Sequence, residues 1–209
     1  MVNLGILTSG AADMVLESVL SSIDRGTVKN VFPKIVVSTN PSIESLKIAS
    51  EKFGLPTYAI PDTIDKSNRL SYDQEIIRAL EENHVTPDVG LVCLIGFRRI
   101  LGPNFVKLFW MRTMNVHPSL LPSFPGLFAY KQALKHGVKV TGVTVHFVDE
   151  KVDEGPIIAQ SCLTILENDT EASLLARLLE QACHLYPYCI SLFSQGRLRV
   201  SGRKVLICE

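Results

Sequence analysis

The sequence predicts an α/β fold, a mostly parallel mixed sheet with helices on both faces. Three observations carry this. Short apolar or β-branched runs alternate with amphipathic helical patterns through the first 137 residues, the order that a parallel sheet requires. One of the runs, GLVCLIG (90–96), is apolar throughout, as in a strand covered on both faces. After Gly137 two longer runs follow each other closely, TGVTVHFVD (141–149) and PIIAQSCLTI (156–165), and this spacing suits an antiparallel pair.

The elements follow in order. LGILTS (4–9) is a short strand ending at Ser9-Gly10, and Val15, Val19, Leu20 and Ile23 then share one face of a helix. KIVVSTN (34–40) is β-branched and stops at Asn40-Pro41. SIESLKIASEKFG (42–54) reads as a helix with Ser42 as its N-cap and glycine at its close. TYAI (57–60) is a third strand, and SYDQEIIRALEENH (71–84) an amphipathic helix. GLVCLIG and TMNVH (113–117) are the next two strands, and YKQALKHG (130–137) a short helix. This first part is a Rossmann-like unit. A long helix from about Glu171 to Phe193 follows the antiparallel pair, and GRLRVSGRKVLIC closes as a hairpin about Ser201-Gly202. With no repeat, low-complexity tract or flexible linker, residues 1–209 are expected to form one domain.

Composition narrows the function. Lys plus Arg and Asp plus Glu balance at 21 each, so nothing draws the chain to a polyanion and nucleic acid is not an expected partner. No apolar run is long enough to span a bilayer, and the N-terminus lacks the layout of a signal peptide. The five cysteines are scattered, with no C-x-x-C pair, which fits reduced thiols in the cytoplasm and signals no metal site.

Open α/β sheets bind ligands at the carboxyl ends of their strands, and four features fall there. Ser9-Gly10-Ala11-Ala12-Asp13 joins the first strand to its helix. Such turns often cradle phosphate, but this one has a single glycine, and Asp13 would cap the helix and repel an anion. NVHPSLLP (115–122) sets Asn115 and His117 two apart, on one face of a strand, where an amide beside an imidazole suits a developing oxyanion. Pro118 and Pro122 stiffen the chain that follows. Four acids, Asp149, Glu150, Asp153 and Glu154, crowd one loop, either as a solvated turn or as the source of a carboxylate that orients His117 and raises its pKa. Arg98-Arg99 forms either an exposed basic turn or a clamp for carboxylates. His84 and His136 read as helix-end residues, His184 as structural, and His146 as facing the core or the site.

Taken together, GFRRILGPNFV, MNVHPSLLPSFPGL, TVHFVDE, VDEGPII and LYP resemble the phosphoribosylglycinamide formyltransferases, over almost the whole chain and in the same order and spacing. The resemblance implies formyl transfer from 10-formyltetrahydrofolate to an amine, by default that of phosphoribosylglycinamide in purine biosynthesis, with no metal and with small-molecule substrates; the alternatives are a different amine acceptor, a formyltetrahydrofolate hydrolase or a non-catalytic folate-binding relative, and a homodimer is one assembly it allows. It implies that Asn115 and a protonated His117 donate to the tetrahedral oxyanion. Asp153 would support the imidazolium and order a proton-carrying water. It places Arg99, Ile100 and Leu101 along the folate, Arg69 and Arg99 at its glutamate tail, and Val148, Asp149 and Glu150 around its pteridine. Ser9, Gly10, Ala11, Ala12, Asp13 and Gly126 would lie along the acceptor. The acceptor end departs from the family pattern. Its phosphate turn, Ser-Gly-x-Gly-Ser/Thr-Asn, has lost the second glycine, the hydroxyl and the asparagine, and the family's amine-binding glutamate is replaced by Ala182. Lys66 and Lys131 are the cations that stand as replacements.

Overall fold

The computed structural model describes residues 1–60 and 69–208. Lys66, one of the two cations named above, lies outside the described residues. Strand β1 (Val2–Thr8) is the apolar run of the N-terminus, and all but one of its residues are buried. It leads into α1 (Asp13–Asp24), which buries Val15, Leu16, Val19 and Leu20 against the sheet. Next come β2 (Val31–Ser38), α2 (Glu44–Lys47) continuing as a π-helical stretch at Ile48–Lys52, and β3 (Thr57–Ala59). Helix α3 (Arg69–Glu82) precedes β4 (Gly90–Ile95), in which every residue is buried. Helix α4 (Pro103–Leu108) leads to β5 (Thr113–His117), and α5 (Ala129–His136) to the pair β6 (Val140–Phe147) and β7 (Ile157–Thr164). Helix α6 (Glu171–Ser194) and the hairpin β8 (Leu198–Ser201) and β9 (Lys204–Ile207) complete the chain.

These strands form one nine-stranded sheet in the order β3-β2-β1-β4-β5-β6-β7-β9-β8. Pairing is parallel from β3 to β5 and antiparallel from β5 through β7. The expected mixed sheet is therefore present, with its change of direction at β5. A core lies on each face. One packs α1 and α6 against residues such as Ile6, Cys93 and Met114; the other packs α3 and α4 against Leu7, Val92 and Leu94. Alternating residues of one strand feed both cores, which is why β4 reads as continuously apolar.

Helix α6 crosses beneath the strands that carry the chemistry. The buried Tyr186 hydroxyl donates to the Met114 carbonyl at 2.8 Å and the Leu94 carbonyl at 3.3 Å. These bonds, each contributing about 1 kcal/mol, tie α6 to β4 and β5. The N-terminus of α6 is closed by a reciprocal capping box between Thr170 and Ser173.

Three local expectations differ. Ser42 does not cap α2: Ile43 is the N-cap residue, while the Ser42 N–H donates to Asn40 Oδ1 at 3.0 Å and closes a turn. Asp13 does not cap α1 either. Ala12 holds that place, and the Asp13 carboxylate instead accepts from the Ser45 hydroxyl of α2. Helix α4 has no counterpart in the sequence reading, because six residues are too short for a helical period to show.

Candidate functional site

The site begins with the register of two strands. Asn115 and His117 alternate onto one face of β5, and antiparallel pairing sets Asn115 opposite His146 and His117 opposite Thr144 on β6. His146 is thereby brought to the site, settling the question its sequence context left open. Thr144 is structural. Its Oγ1 donates to the Ser119 carbonyl at 2.7 Å and accepts from the Leu121 N–H at 3.0 Å, stitching the proline-rich loop after β5 to β6. Ser119 itself is fully buried, and its hydroxyl donates to the Ser123 carbonyl at 2.5 Å, so it serves the loop and not the chemistry. The loop thus returns the Phe124 carbonyl to His117, whose Nε2–H donates to it at 2.9 Å.

Asp153 arrives from the other side. It sits in the left-handed backbone region at φ 56°, in the tight turn between β6 and β7. Gly155 makes that path possible, since a Cβ there would lie 1.8 Å from the Phe147 carbonyl oxygen. Asp153 Oδ2 accepts the Gly126 N–H at 2.7 Å and lies 3.3 Å from His117 Nδ1, while Oδ1 is 3.6 Å from His146 Nε2. His146 Nδ1–H donates to the Phe147 carbonyl at 2.8 Å, which leaves Nε2 to accept from Asn115 Nδ2 at 3.2 Å. Asn115 therefore keeps a second amide N–H to donate.

Burial of Asp153 alone would raise its pKa. The His117 charge and the Gly126 N–H oppose that, and the carboxyl is held below the usual aspartate value. His117 differs from the expectation that it is held protonated. Burial draws its pKa below 6.5, and the opposing pull of Asp153 and the Phe124 carbonyl only partly restores it. With Nε2–H committed to that carbonyl, Nδ1 meets Asp153 favourably only when it carries the second proton. A negative charge developing beside the ring would favour that proton.

These side chains form one wall of a cleft of about 380 Å³. Arg99, Ile100 and Leu101 line it after β4; Val148, Asp149, Glu150 and Asp153 line it after β6; Gly10, Ala11 and Gly126 line it as well. The remaining named residues stand elsewhere. Ala12 is buried in the core, Asp13 is tied to Ser45, and Ser9 lines a neighbouring recess. Arg69 is exposed at the start of α3 and lines neither cavity, while Arg99 stacks 3.6 Å above the ring of Tyr72. Lys131 pairs with Glu171 at 2.7 Å. The turn after β1 keeps an unusual shape: Gly10 and Ala11 both have positive φ, 87° and 71°, so the conformation that favours glycine persists at an alanine. Ala182 is buried in the core on α6. Among the described residues no group of three or more His, Cys, Asp or Glu is placed to hold a metal ion, and no helix is long and apolar enough to cross a membrane.

The fold and this strand-end constellation place the chain in a family. Residues 3–190 match the formyl transferase model, and the chain belongs to that family. It is 35% identical over 201 residues to the phosphoribosylglycinamide formyltransferase of Escherichia coli (strain K12), covering 95% of this chain and 90% of that protein. It is 39% identical over 209 residues to the trifunctional purine biosynthetic protein adenosine-3 of Gallus gallus, where the match covers 99% of this chain but only 20% of the longer protein. Among solved structures, glycinamide ribonucleotide transformylase 1 from Symbiobacterium toebii superposes with a TM-score of 0.93 at 37% identity, covering 100% of this chain and 95% of that one.

Proposed function

We propose that this chain transfers the formyl group of 10-formyltetrahydrofolate to a primary amine, and that the amine of phosphoribosylglycinamide, the acceptor in its relatives' names, is the first to test. The observation that carries the reading is the Asn115–His117–Asp153 cluster, His117 buried and the other two half-buried, at the wall of the cleft. The amine attacks the formyl carbon and a C–N bond forms. The carbonyl oxygen becomes an oxyanion, toward which the free Asn115 N–H donates; one such donor contributes about 2.7–4 kcal/mol to transition-state stabilisation. The imidazolium form of His117, held by Asp153, offsets the same charge at short range. The attacking amine loses a proton, the departing folate nitrogen gains one, and the C–N bond to the folate breaks. Arg99, with Arg69 sharing its charged neighbour Asp73, holds the glutamate carboxylates of the donor. Small molecules are its partners and the cytoplasm its setting.

The test is steady-state formation of tetrahydrofolate and formylated product with phosphoribosylglycinamide. His117→Ala should abolish turnover by orders of magnitude, and unchanged turnover would remove the mechanism. A second reading is favoured by Asp13 and by Ala182, which alter the acceptor end. In it, water takes the formyl group and formate is released. Tetrahydrofolate produced at full rate without any amine would select that reading.

A further inference from the structure

Residues 97–102 leave β4 without helix or strand, yet they carry Arg99, Ile100 and Leu101 to the wall of the cleft. A stretch of this kind has no hydrogen-bond ladder of its own, so side chains must hold its backbone N–H groups. We propose that Asp73, on α3, is a positioning residue for the folate donor: its carboxylate fixes this segment where Ile100 and Leu101 meet the body of the folate. The inference rests on the formyl-transfer reading and adds to it a residue that does not itself line the cleft.

Two tethers pin the segment. At its start the Arg98 backbone N–H donates to Ser9 Oγ at 3.1 Å. At its end the Gly102 N–H donates to Asp73 Oδ2 at 2.7 Å. This second bond is buried, and Asp73 itself is only 3% exposed. Burial disfavours the charge of Asp73, while the Gly102 N–H and the guanidiniums of Arg99 and Arg69 oppose that effect. A buried carboxylate is costly unless partnered, and this one is turned to the backbone of the segment. Gly102 suits the contact, because a Cβ there would run into Oδ2. Its φ of −79° is open to any residue, so the close approach of the carboxylate, not the turn, asks for glycine here. Tyr72, the residue before Asp73, carries the Arg99 guanidinium 3.6 Å above its ring. Adjacent residues of α3 thus grip Arg99 and Gly102, and Ile100 and Leu101 are suspended between them. Leu101 is buried and Ile100 is exposed, so one anchors the segment and the other presents itself to the cleft. The helix pair does not depend on the carboxylate. Tyr72 and Ile76 of α3 share one apolar core with Leu101 and with Phe105 of α4, so variants of Asp73 should fold.

The test compares three variants of the full chain. Asp73→Leu removes the acceptor, Asp73→Asn keeps an oxygen for the Gly102 N–H, and Gly102→Ala crowds the carboxylate away. Melting curves check that each is folded. Each is then titrated, by fluorescence, with folates bearing and lacking the glutamate tail. Both folates are expected to bind the native chain and to weaken by about 10-fold or more in Asp73→Leu and Gly102→Ala, where a buried donor loses its partner; Asp73→Asn should stay within about threefold of native. In initial rates the folate KM should rise by similar factors, with the amine KM unchanged. Lower melting midpoints with both affinities intact would make Asp73 a purely structural residue and overturn the proposal. So would a loss confined to the tail-bearing folate, which would place the effect in the charge of Arg99. Asp73→Asn as weak as Asp73→Leu would overturn it too, since the hydrogen bond would then not be what holds the segment. Should Asp73→Leu fail to fold, Gly102→Ala decides alone. The titration needs no turnover, so its outcome is separate from failure of formyl transfer, which would appear as absent product with any amine. A native chain that binds neither folate removes the donor reading, and this proposal with it.

Discussion

At the end of β5, Asn115, His117, His146 and Asp153 are knit into one largely buried network with the Phe124 and Phe147 carbonyls and the Gly126 N–H. At the end of β1, two strands away, Ser9, Thr39, Asn40 and Arg98 face an open recess with much of their donor capacity unspent. Both regions are strand ends of one sheet. The first is rigid because buried polar groups must be partnered, and that partnering holds the donors in place before charge develops. The second is open to solvent, so its groups tolerate being unpaired by protein partners. Partnered and solvated polar groups thus sit side by side under opposite constraints, and substitutions in the two regions should fail in different ways.

The largest effect should come from Asp153→Asn. It removes the carboxylate that faces His117 and His146, and kcat should fall by a factor of about 10²–10⁴ with the folate KM little changed. Steady-state kinetics on the purified variant checks this; a rise in KM at unchanged kcat would place Asp153 in binding. Arg99→Ala should weaken folate binding by about 1.5–3 kcal/mol, the scale of a hydrogen bond to a charged group. Fluorescence titration with folates bearing and lacking the glutamate tail measures it, and equal affinity for the two would remove that role.

The network at the end of β5 should also carry a pH dependence. The folded-state pKa of His117 lies below 6.5 because burial disfavours its charge. Its contribution to stability is therefore fully present above 6.5 and is lost as pH falls through the folded value. That of Asp153, held below 3.8, is lost only in stronger acid. Unfolding midpoints followed downward from pH 7 should decline in the native chain and decline less in His117→Gln. The smallest effect belongs to the turn after β1. Ala11→Gly should relieve a left-handed alanine and stabilise by up to about 1 kcal/mol, read from denaturant unfolding.

Much of the scaffold was legible in the chain itself. Unbroken apolarity marked β4, alternation put Asn115 and His117 on one face of β5, and the Glu171–Phe193 period marked α6 to within a residue. These are local patterns, repeated at the period of the element that carries them, so sequence alone determined them. Which of four acids reaches His117 was different. It depended on a left-handed Asp153 and on a Gly155 pressed against Phe147, and neighbouring residue types do not encode that path. His146 entered the site only through the β5–β6 register, Asp13 found Ser45 from 32 residues away, and Arg98 parted from Arg99 only when one of two adjacent guanidiniums stacked on Tyr72. Tertiary structure decided these because each depends on a partner brought close by the sheet. The polar residues carry no period of their own, and their partners are selected by packing and by the cost of leaving a buried polar group unpaired.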